Sequence, residues 1–169
     1  HGQQAADAVA PEVASGFSAF DSLSDAAQAA LEAKAAGTPV KAENWMVAAA
    51  NPLAVEAGAS VLREGGTAAD AMVAVQAVLG LVEPQSSGIG GCAFIVVYHR
   101  ESDETIVYDV RDTAPMPIDE NLSVEDRELL GVIDAWKSGK SVAVPGAIAL
   151  YILAHDAHGQ QDWASNFEA

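Results

Sequence analysis

The stretch from Met46 to Tyr98 reads MVAAANPLAVEAGASVLREGGTAADAMVAVQAVLGLVEPQSSGIGGCAFIVVY, and after a polar turn the chain continues from Val107 to Pro115 as VYDVRDTAP. The first half of this stretch has apolar residues at the i, i+3, i+4 and i+7 spacing of an α-helix. The second half is rich in β-branched and aromatic residues, which favour strands. The stretch therefore predicts two helices followed by a β-hairpin, which is a mixed α/β (α+β) fold.

Local signals indicate where the two helices begin and end. Asn51-Pro52 is typical of a helix start, and Gly65-Gly66 is typical of a helix end. Thr67 and Asp70 have the capping-box spacing with which the second helix begins, and Pro84 ends that helix. The residues predicted to form the apolar faces are Val55, Gly58, Ala59 and Leu62 on the first helix and Ala68, Ala71, Met72, Val75, Val78, Leu79 and Val82 on the second.

The hairpin is predicted to run from Ala93 to His99 and from Thr105 to Val110, so that Arg111 lies at the very end of its second strand. A lone arginine in this position is by default a surface ion-pair residue, and Asp109 or Asp112 could be its partner. Its guanidinium is also a planar fork that holds a carboxylate bidentately and stays charged at any working pH. Arg111 is therefore the candidate for binding a carboxylate of a substrate.

The N-terminal region and an acidic segment in the second half carry weaker signals. Residues 1–21 are small and polar and predict a loose arm. Residues 24–36 predict an alanine-rich helix, in which Asp25 and Gln28 have the spacing of a capping box. Residues 116–140 are acidic and predict an irregular surface segment.

The C-terminal part predicts a helix that closes near Gly159 and a further helix in which Trp163 and Phe167 share a face. Because these aromatic residues come so late, we expect the chain to be a fragment or one piece of a cleaved precursor. We divide it into residues 1–44, the arm and the alanine-rich helix, and residues 45–169, the main part. The apolar residues of the helix before Gly159 include Ile148, Ala149, Ile152 and Leu153.

Composition excludes several classes of function. The 24 acidic residues outnumber the eight Lys and Arg, and the net charge of −16 is unfavourable for binding nucleic acid. The basic residues are scattered, so no lipid-binding cluster is predicted, and no apolar run reaches the roughly 18–20 residues that span a bilayer. One cysteine allows no intrachain disulfide, and no zinc-binding Cys/His spacing occurs.

Three other motifs are weaker candidates for chemistry. The glycine turn Ser87–Gly91 leads into a strand, whereas phosphate-binding loops lead into a helix. Cys92 and His99 have an odd spacing on one predicted strand, so they point to opposite faces, and Cys92 is predicted to be a buried small hydrophobic residue. His155 and His158 could share a helix face, but no third metal ligand has a fitting spacing. We therefore predict no metal site and no cofactor.

From Met46 to about Phe167 the chain resembles the first part of the large subunit of gamma-glutamyltranspeptidases. Two departures are Cys92-Ala93, which interrupt the run of glycines common in the family, and Thr67, which stands where asparagine is usual. The features that carry the resemblance are Met46–Ala49 (MVAA), Leu62–Ala71 (LREGGTAADA), Val82–Pro84 (VEP), Ser87–Gly91 (SGIGG) with Phe94, Arg111–Pro115 (RDTAP), Val144–Gly146 (VPG) and the spacing from Gly159 to Trp163.

The resemblance implies an N-terminal-nucleophile hydrolase fold, an αββα sandwich to which this chain makes a partial contribution. It implies a precursor that cuts itself into a large and a small subunit. The N-terminal threonine of the small subunit would attack a gamma-glutamyl amide such as glutathione, with its own α-amine as the base. Water or an amino-acid or peptide acceptor would complete the reaction.

In this scheme no catalytic residue is expected in this chain, and Arg111 holds the α-carboxylate of the donor. The partners are the small subunit and a gamma-glutamyl substrate, and the expected location is periplasmic or secreted. Alternatives are a related acylase of the cephalosporin or poly-gamma-glutamate type, and a non-catalytic scaffold or binding fragment.

Overall fold

The computed structural model describes residues 22–113, 124–125, 128–129, 132–137, 139 and 142–168. Within them the chain combines helices with two two-stranded antiparallel sheets, which confirms the predicted mixture of helix and strand. The elements in chain order are α1 (Asp25–Ala35), α2 (Pro52–Arg63), α3 (Ala68–Val82), β1 (Phe94–His99), β2 (Glu104–Asp109), β3 (Val124–Glu125), β4 (Glu128–Leu129), α4 (Val132–Lys137), α5 (Ala147–His158) and a 3₁₀ helix (Trp163–Phe167).

Two predicted segments overlap the parts of the chain that are not described. The predicted arm, residues 1–21, lies outside the described residues. The predicted irregular segment, residues 116–140, lies partly outside them. Its described residues form the short hairpin β3–β4 and the helix α4, so the prediction of irregular structure was wrong for these residues.

The predicted ends of α2 and α3 are confirmed. The Asn51 side chain accepts a hydrogen bond from Leu53 N at 3.0 Å, and Gly65, which follows the C-cap residue of α2, has a φ of +89°, which favours glycine. At the start of α3, Thr67 Oγ1 accepts from Asp70 N at 3.3 Å, while Asp70 Oδ2 accepts from Thr67 N at 2.8 Å. The two residues thus form a reciprocal capping box.

The N-terminal cap of α1 differs from the prediction by one residue. Ser24, with extended backbone, is the N-cap, and its Oγ accepts from Ala27 N at 3.4 Å. Gln28 instead donates its side-chain amide to the Leu23 carbonyl at 3.0 Å. The predicted Asp25–Gln28 capping box was therefore wrong, because Asp25 already belongs to the helix. Ser24 Oγ also donates to Glu56 Oε2 at 2.6 Å, which links α1 to α2.

Helices α2 and α3 pack closely through small residues. Their shared core contains Ala57, Val61, Ala71 and Ala74. The predicted faces are only partly confirmed, because Val55 and Leu62 on α2 are only half-buried while Ala54 and Ala57 are buried. On α3, Val73 and Ala74 are buried outside the predicted face. Helix α3 contacts α2, α5 and the 3₁₀ helix, so it has more than one buried side.

The hairpin β1–β2 packs one of its faces on α3 and α5. Phe94 pairs with Asp109 and Val96 with Val107, which leaves Phe94, Val96, Tyr98 and Val107 on the exposed face. The other face contributes to a second core, which consists of Val73, Ala147, Leu150 and Tyr151 with Met72, Ala93, Ile95, Tyr108, Val110 and Trp163 packed against it.

Helix α5 buries a different side from the one that carries Ile148, Ile152 and Leu153. Ile148, Ala149, Ile152 and Leu153 are exposed, whereas Ala147, Leu150, Tyr151 and Ala154 are buried. Apolar residues occur on nearly every side of this helix, so periodicity alone does not choose the buried face.

The predicted C-terminal helix is a short 3₁₀ helix. Asp162 caps it by accepting from Ala164 N at 3.3 Å. The rings of Trp163 and Phe167 are 5.3 Å apart, as expected for residues that share a face. Among the described residues, no helix is both long and apolar enough to cross a membrane.

Candidate functional site

Arg111 lies two residues beyond the end of β2, with its side chain exposed. Val110 N still donates to the Ala93 carbonyl at 3.2 Å, so the strand pairing holds the backbone up to the residue before Arg111. Arg111 N donates to Asp109 Oδ1 at 3.0 Å. This contact fixes the turn by which the chain leaves the sheet, and it brings Arg111 to the edge of the hairpin as predicted.

Neither of the two neighbouring acidic residues pairs with the Arg111 guanidinium. Asp109 Oδ1 accepts from the Arg111 backbone, and Asp112 Oδ1 lies 2.6 Å from Cys92 Sγ. In the described parts of the chain, the basic side chains with a nitrogen within 4.0 Å of a carboxylate oxygen are Arg63, beside Glu56, and His155, beside Asp70. Within those parts, the surface ion pair that is the ordinary alternative for Arg111 is therefore not formed.

The Asp112 carboxylate is stabilised in its ionised form. The hydrogen bond from Cys92 is the largest influence that lowers the pKa of Asp112 below its usual value. The Asp112 backbone amide, the positive charge of Arg111 and the Val144 amide lower this pKa further. Asp112 therefore stays negatively charged beside Arg111 at neutral pH.

The beginning of α5 packs against the end of the hairpin, next to Arg111. The Gly91 carbonyl accepts hydrogen bonds from Gly146 N at 2.9 Å and from Ala147 N at 3.0 Å. A Cβ on Gly146 would lie 3.0 Å from the Val110 carbonyl oxygen and 3.8 Å from Cys92 Cβ. Glycine at this position therefore permits the turn before β1, the end of β2 and the start of α5 to meet.

The same contacts bear on the glycine turn Ser87–Gly91. The turn leads towards β1. The carbonyl oxygen of Gly91, its last residue, accepts hydrogen bonds from two amides at the start of α5. Free amides at a helix start are what a phosphate-binding loop requires. The turn has instead the role of joining α3, the hairpin and α5.

Cys92 and His99 are not brought together as a nucleophile and a base. Cys92 precedes β1, so the prediction that Cys92 and His99 point to opposite faces of one strand was wrong. The two residues are nevertheless far apart, because they lie at opposite ends of β1, which is roughly 20 Å long. Cys92 is half-buried and donates to Asp112, so the prediction of a buried hydrophobic residue was also wrong.

His155 and His158 have separate partners. His155 Nε2 lies 3.1 Å from the Gln161 carbonyl oxygen and 3.2 Å from Asp70 Oδ1, whereas His158 Nε2 lies 2.8 Å from the Tyr108 hydroxyl. The described residues contain no group of three His, Cys, Asp or Glu side chains that could hold a metal ion.

Comparison with known proteins identifies the family. The family model described as gamma-glutamyltranspeptidase matches residues 54–169. The chain belongs to the gamma-glutamyltranspeptidase family. The match begins in α2 and includes α3, the hairpin β1–β2, Arg111 and α5, so the candidate site lies inside the part of the chain that the family shares.

Individual proteins and solved structures also resemble the chain over most of its length. Scoloptoxin SSD14 of Scolopendra dehaani is 40% identical over 67% of this chain, and Glutathione hydrolase 3 of Arabidopsis thaliana is 38% identical over 76% of it. These matches cover 19% and 20% of the two relatives, so the chain spans about a fifth of their length. The crystal structure of Helicobacter pylori gamma-glutamyltranspeptidase aligns with a TM-score of 0.69 and 27% identity, over 77% of this chain and 37% of that one.

Sequence reasoning missed a buried polar centre in this chain. Asp70 was assigned only to the cap of α3, yet it is fully buried, and its Oδ2 also accepts from Gln160 N at 3.0 Å. Gly159 allows this approach, because a Cβ there would lie 2.7 Å from Asp70 Oδ1. The only sequence signal for this buried centre was Gly159, the glycine after α5, and a glycine at this position is also typical of an ordinary helix end.

Proposed function

We propose that this chain is the N-terminal part of the large subunit of a gamma-glutamyltranspeptidase-like enzyme. The enzyme cleaves gamma-glutamyl amides such as glutathione, either by hydrolysis or by transfer to an amino-acid or peptide acceptor. In this proposal Arg111 holds the α-carboxylate of the donor. One observation carries the assignment: within the region matched by the family, Arg111 is exposed at the end of the hairpin, with no carboxylate partner among the described residues.

The chemistry of Arg111 suits this role. A guanidinium presents parallel N–H donors that match both oxygens of a carboxylate, and it cannot lose its charge at physiological pH. Such a group positions a substrate without taking part in bond breaking. The name of the Arabidopsis relative, a glutathione hydrolase, supports a gamma-glutamyl donor whose free α-carboxylate the arginine would bind.

The proposal assigns the nucleophile to a second polypeptide. It is the N-terminal threonine of a small subunit made from the same precursor, and the α-amine of that threonine is the base. Helices and hairpin of this chain form part of an αββα sandwich that the small subunit completes, and the enzyme acts in the periplasm or outside the cell.

Arg111→Lys in the complete protein tests the role of Arg111. Lysine keeps the charge and loses the bidentate fork, so we expect KM for gamma-glutamyl-p-nitroanilide to rise by about tenfold or more, with a much smaller effect on kcat. The matched control is Arg100→Lys, in the turn at the opposite end of the same hairpin. Unchanged KM in Arg111→Lys, or equal changes in both variants, would rule out the carboxylate clamp.

Two further measurements test the rest of the proposal. Mass spectrometry of the complete protein under denaturing conditions should show two polypeptides, of which the smaller begins with threonine. Turnover of glutathione rather than a glutaryl-cephalosporin distinguishes a gamma-glutamyl enzyme from an acylase. A single unprocessed polypeptide that turns over neither donor would favour a non-catalytic role.

A further inference from the structure

The carboxylate nearest to Arg111 in sequence is held by a residue from another segment. Asp112 follows the arginine directly, and its Oδ1 lies 2.6 Å from the thiol sulfur of Cys92, twenty positions earlier in the chain. The Val144 amide also stabilises the negative charge of Asp112. The carboxylate is thus bound from the turn before β1 and from the segment that leads into α5.

The position of the Cys92 thiol is fixed by its surroundings. Gly91, the preceding residue, is bonded through its carbonyl to the first amides of α5. Gly146 packs closely enough that a Cβ there would touch Cys92 Cβ at 3.8 Å. A small donor on a constrained backbone can hold one carboxylate oxygen without the entropic cost of ordering a long side chain.

An unrestrained Asp112 would compete with the substrate for Arg111. Both are charged at neutral pH and adjacent in sequence, and a carboxylate tethered to the same loop has a high effective concentration at the guanidinium. A donor carboxylate would first have to displace it. With Asp112 held by Cys92, the guanidinium has no carboxylate partner among the described residues.

We propose that Cys92 is a positioning residue, whose thiol engages the Asp112 carboxylate so that this carboxylate forms no ion pair with Arg111 and the guanidinium is left for the carboxylate of the donor. This inference rests on the proposed function, since it concerns the same arginine. Cys92 acts through Asp112 and touches no reacting atom. Its effect therefore belongs to the binding of the donor and is separate from the chemical step.

A double-mutant cycle in the complete protein tests this inference. In Cys92→Ala the Asp112 carboxylate loses the hydrogen bond from the thiol and can pair with Arg111, so we expect KM for gamma-glutamyl-p-nitroanilide to rise about three- to fivefold with kcat nearly unchanged, which corresponds to the strength of an exposed ion pair. In Cys92→Ala/Asp112→Asn the competing charge is absent, so KM should return towards the wild-type value. Cys92→Ser retains a donor and should resemble the wild type.

A purely structural role for Cys92 gives a different pattern. If both substitutions only damaged the loop, their effects on KM would add, and the double variant would have a higher KM than Cys92→Ala. That result would overturn the inference, and so would an unchanged KM in Cys92→Ala. The S–H stretching band provides a readout that needs no activity. It should move to higher frequency in Asp112→Asn, which replaces the charged acceptor by a weaker one, and an unmoved band would overturn the contact itself.

Failure of the proposed function has a separate signature. If the wild-type protein turns over no gamma-glutamyl donor, the proposed function is wrong and the inference falls with it. Wild-type turnover combined with insensitivity to Cys92→Ala overturns the inference alone. Thermal melts of all variants confirm that the kinetic values belong to folded protein.

Discussion

Asp70 connects three segments of the chain from a position that solvent does not reach. Its Oδ2 accepts from Thr67 N, from the Thr67 hydroxyl at 2.9 Å and from Gln160 N, while Oδ1 faces His155 Nε2 at 3.2 Å. The Gln161 carbonyl oxygen can only accept, so His155 Nε2 donates to it, and Oδ1 receives no hydrogen bond among the described residues. Burial raises the pKa of Asp70, but the donors of Thr67 and Gln160 outweigh burial, and the net pKa is lowered.

The lowered pKa of Asp70 predicts acid sensitivity. A carboxylate with a depressed folded-state pKa stabilises the protein fully above its unfolded pKa of about 4, and this stabilisation is lost as the pH falls through the folded-state pKa. We expect Tm to decrease below about pH 4, with part of the decrease absent in Asp70→Asn. Thermal melts as a function of pH measure this difference.

The variant and its control separate Asp70 from the other acidic residues. At neutral pH Asp70→Asn should cost about 1–3 kcal/mol, because an amide cannot accept all the hydrogen bonds that the carboxylate accepts. Asp156→Asn, on the exposed side of α5, should have little effect. Glu56 also has a lowered pKa, since Ser24 and Arg63 outweigh its burial, and it titrates in both proteins. Parallel pH profiles of wild type and Asp70→Asn would contradict the expectation.

Helices α2 and α3 approach each other closely at Gly58. A Cβ on this residue would lie 2.5 Å from Val75 Cγ2 and 3.1 Å from Val47 Cγ1. Gly80, in α3, has no described residue within 4 Å of the corresponding position. The two glycines therefore occupy similar secondary structure in opposite packing environments.

Alanine substitutions at these two glycines should have opposite signs. Gly58→Ala forces Val75 and Val47 to move and should destabilise the protein by about 1–3 kcal/mol. Gly80→Ala removes backbone freedom from the unfolded chain at no steric cost and should stabilise it by about 0.5–1 kcal/mol. Chemical denaturation of both variants measures the difference. Stabilisation by Gly58→Ala would show that the helices are less closely packed than described.

Charge is the dominant property of the molecule as a whole. Its net charge is −16, and its sequence pI is about 4.3. Mutual repulsion of so many carboxylates opposes the compact state, and dissolved salt screens this repulsion. Specific ion pairs compensate little, because the Arg63–Glu56 pair is partly exposed.

Stability should therefore increase with ionic strength. Raising NaCl from about 0.05 M to about 1 M shortens the Debye length from more than 10 Å to about 3 Å, so we expect Tm to rise by several degrees. Sodium chloride is preferable to sulfate, which also strengthens hydrophobic burial. The dependence should be weaker in Glu101→Gln/Glu104→Gln, which removes two exposed charges. A Tm that falls or stays constant over this range would contradict the expectation.

The sequence by itself determined the local architecture. The ends of α2 and α3, the hairpin and the placement of Arg111 at its edge follow from signals that act over four residues or fewer, such as Asn51-Pro52 and the Thr67–Asp70 capping box. The motif resemblance likewise gave the family, which the family model confirms. The structural features were predictable because each depends mainly on residues close to it in sequence.

Only the tertiary structure decided which residues from distant segments meet. Asp70 accepts from Gln160, ninety positions away, and Cys92 engages Asp112. Spacing therefore predicted neither the buried carboxylate nor the lack of a carboxylate partner for Arg111 among the described residues. The buried face of α5 could not be predicted for the same reason. A helix that is apolar on most sides buries whichever face its neighbours cover. Long-range contacts depend on how elements pack, and local propensity does not determine that packing.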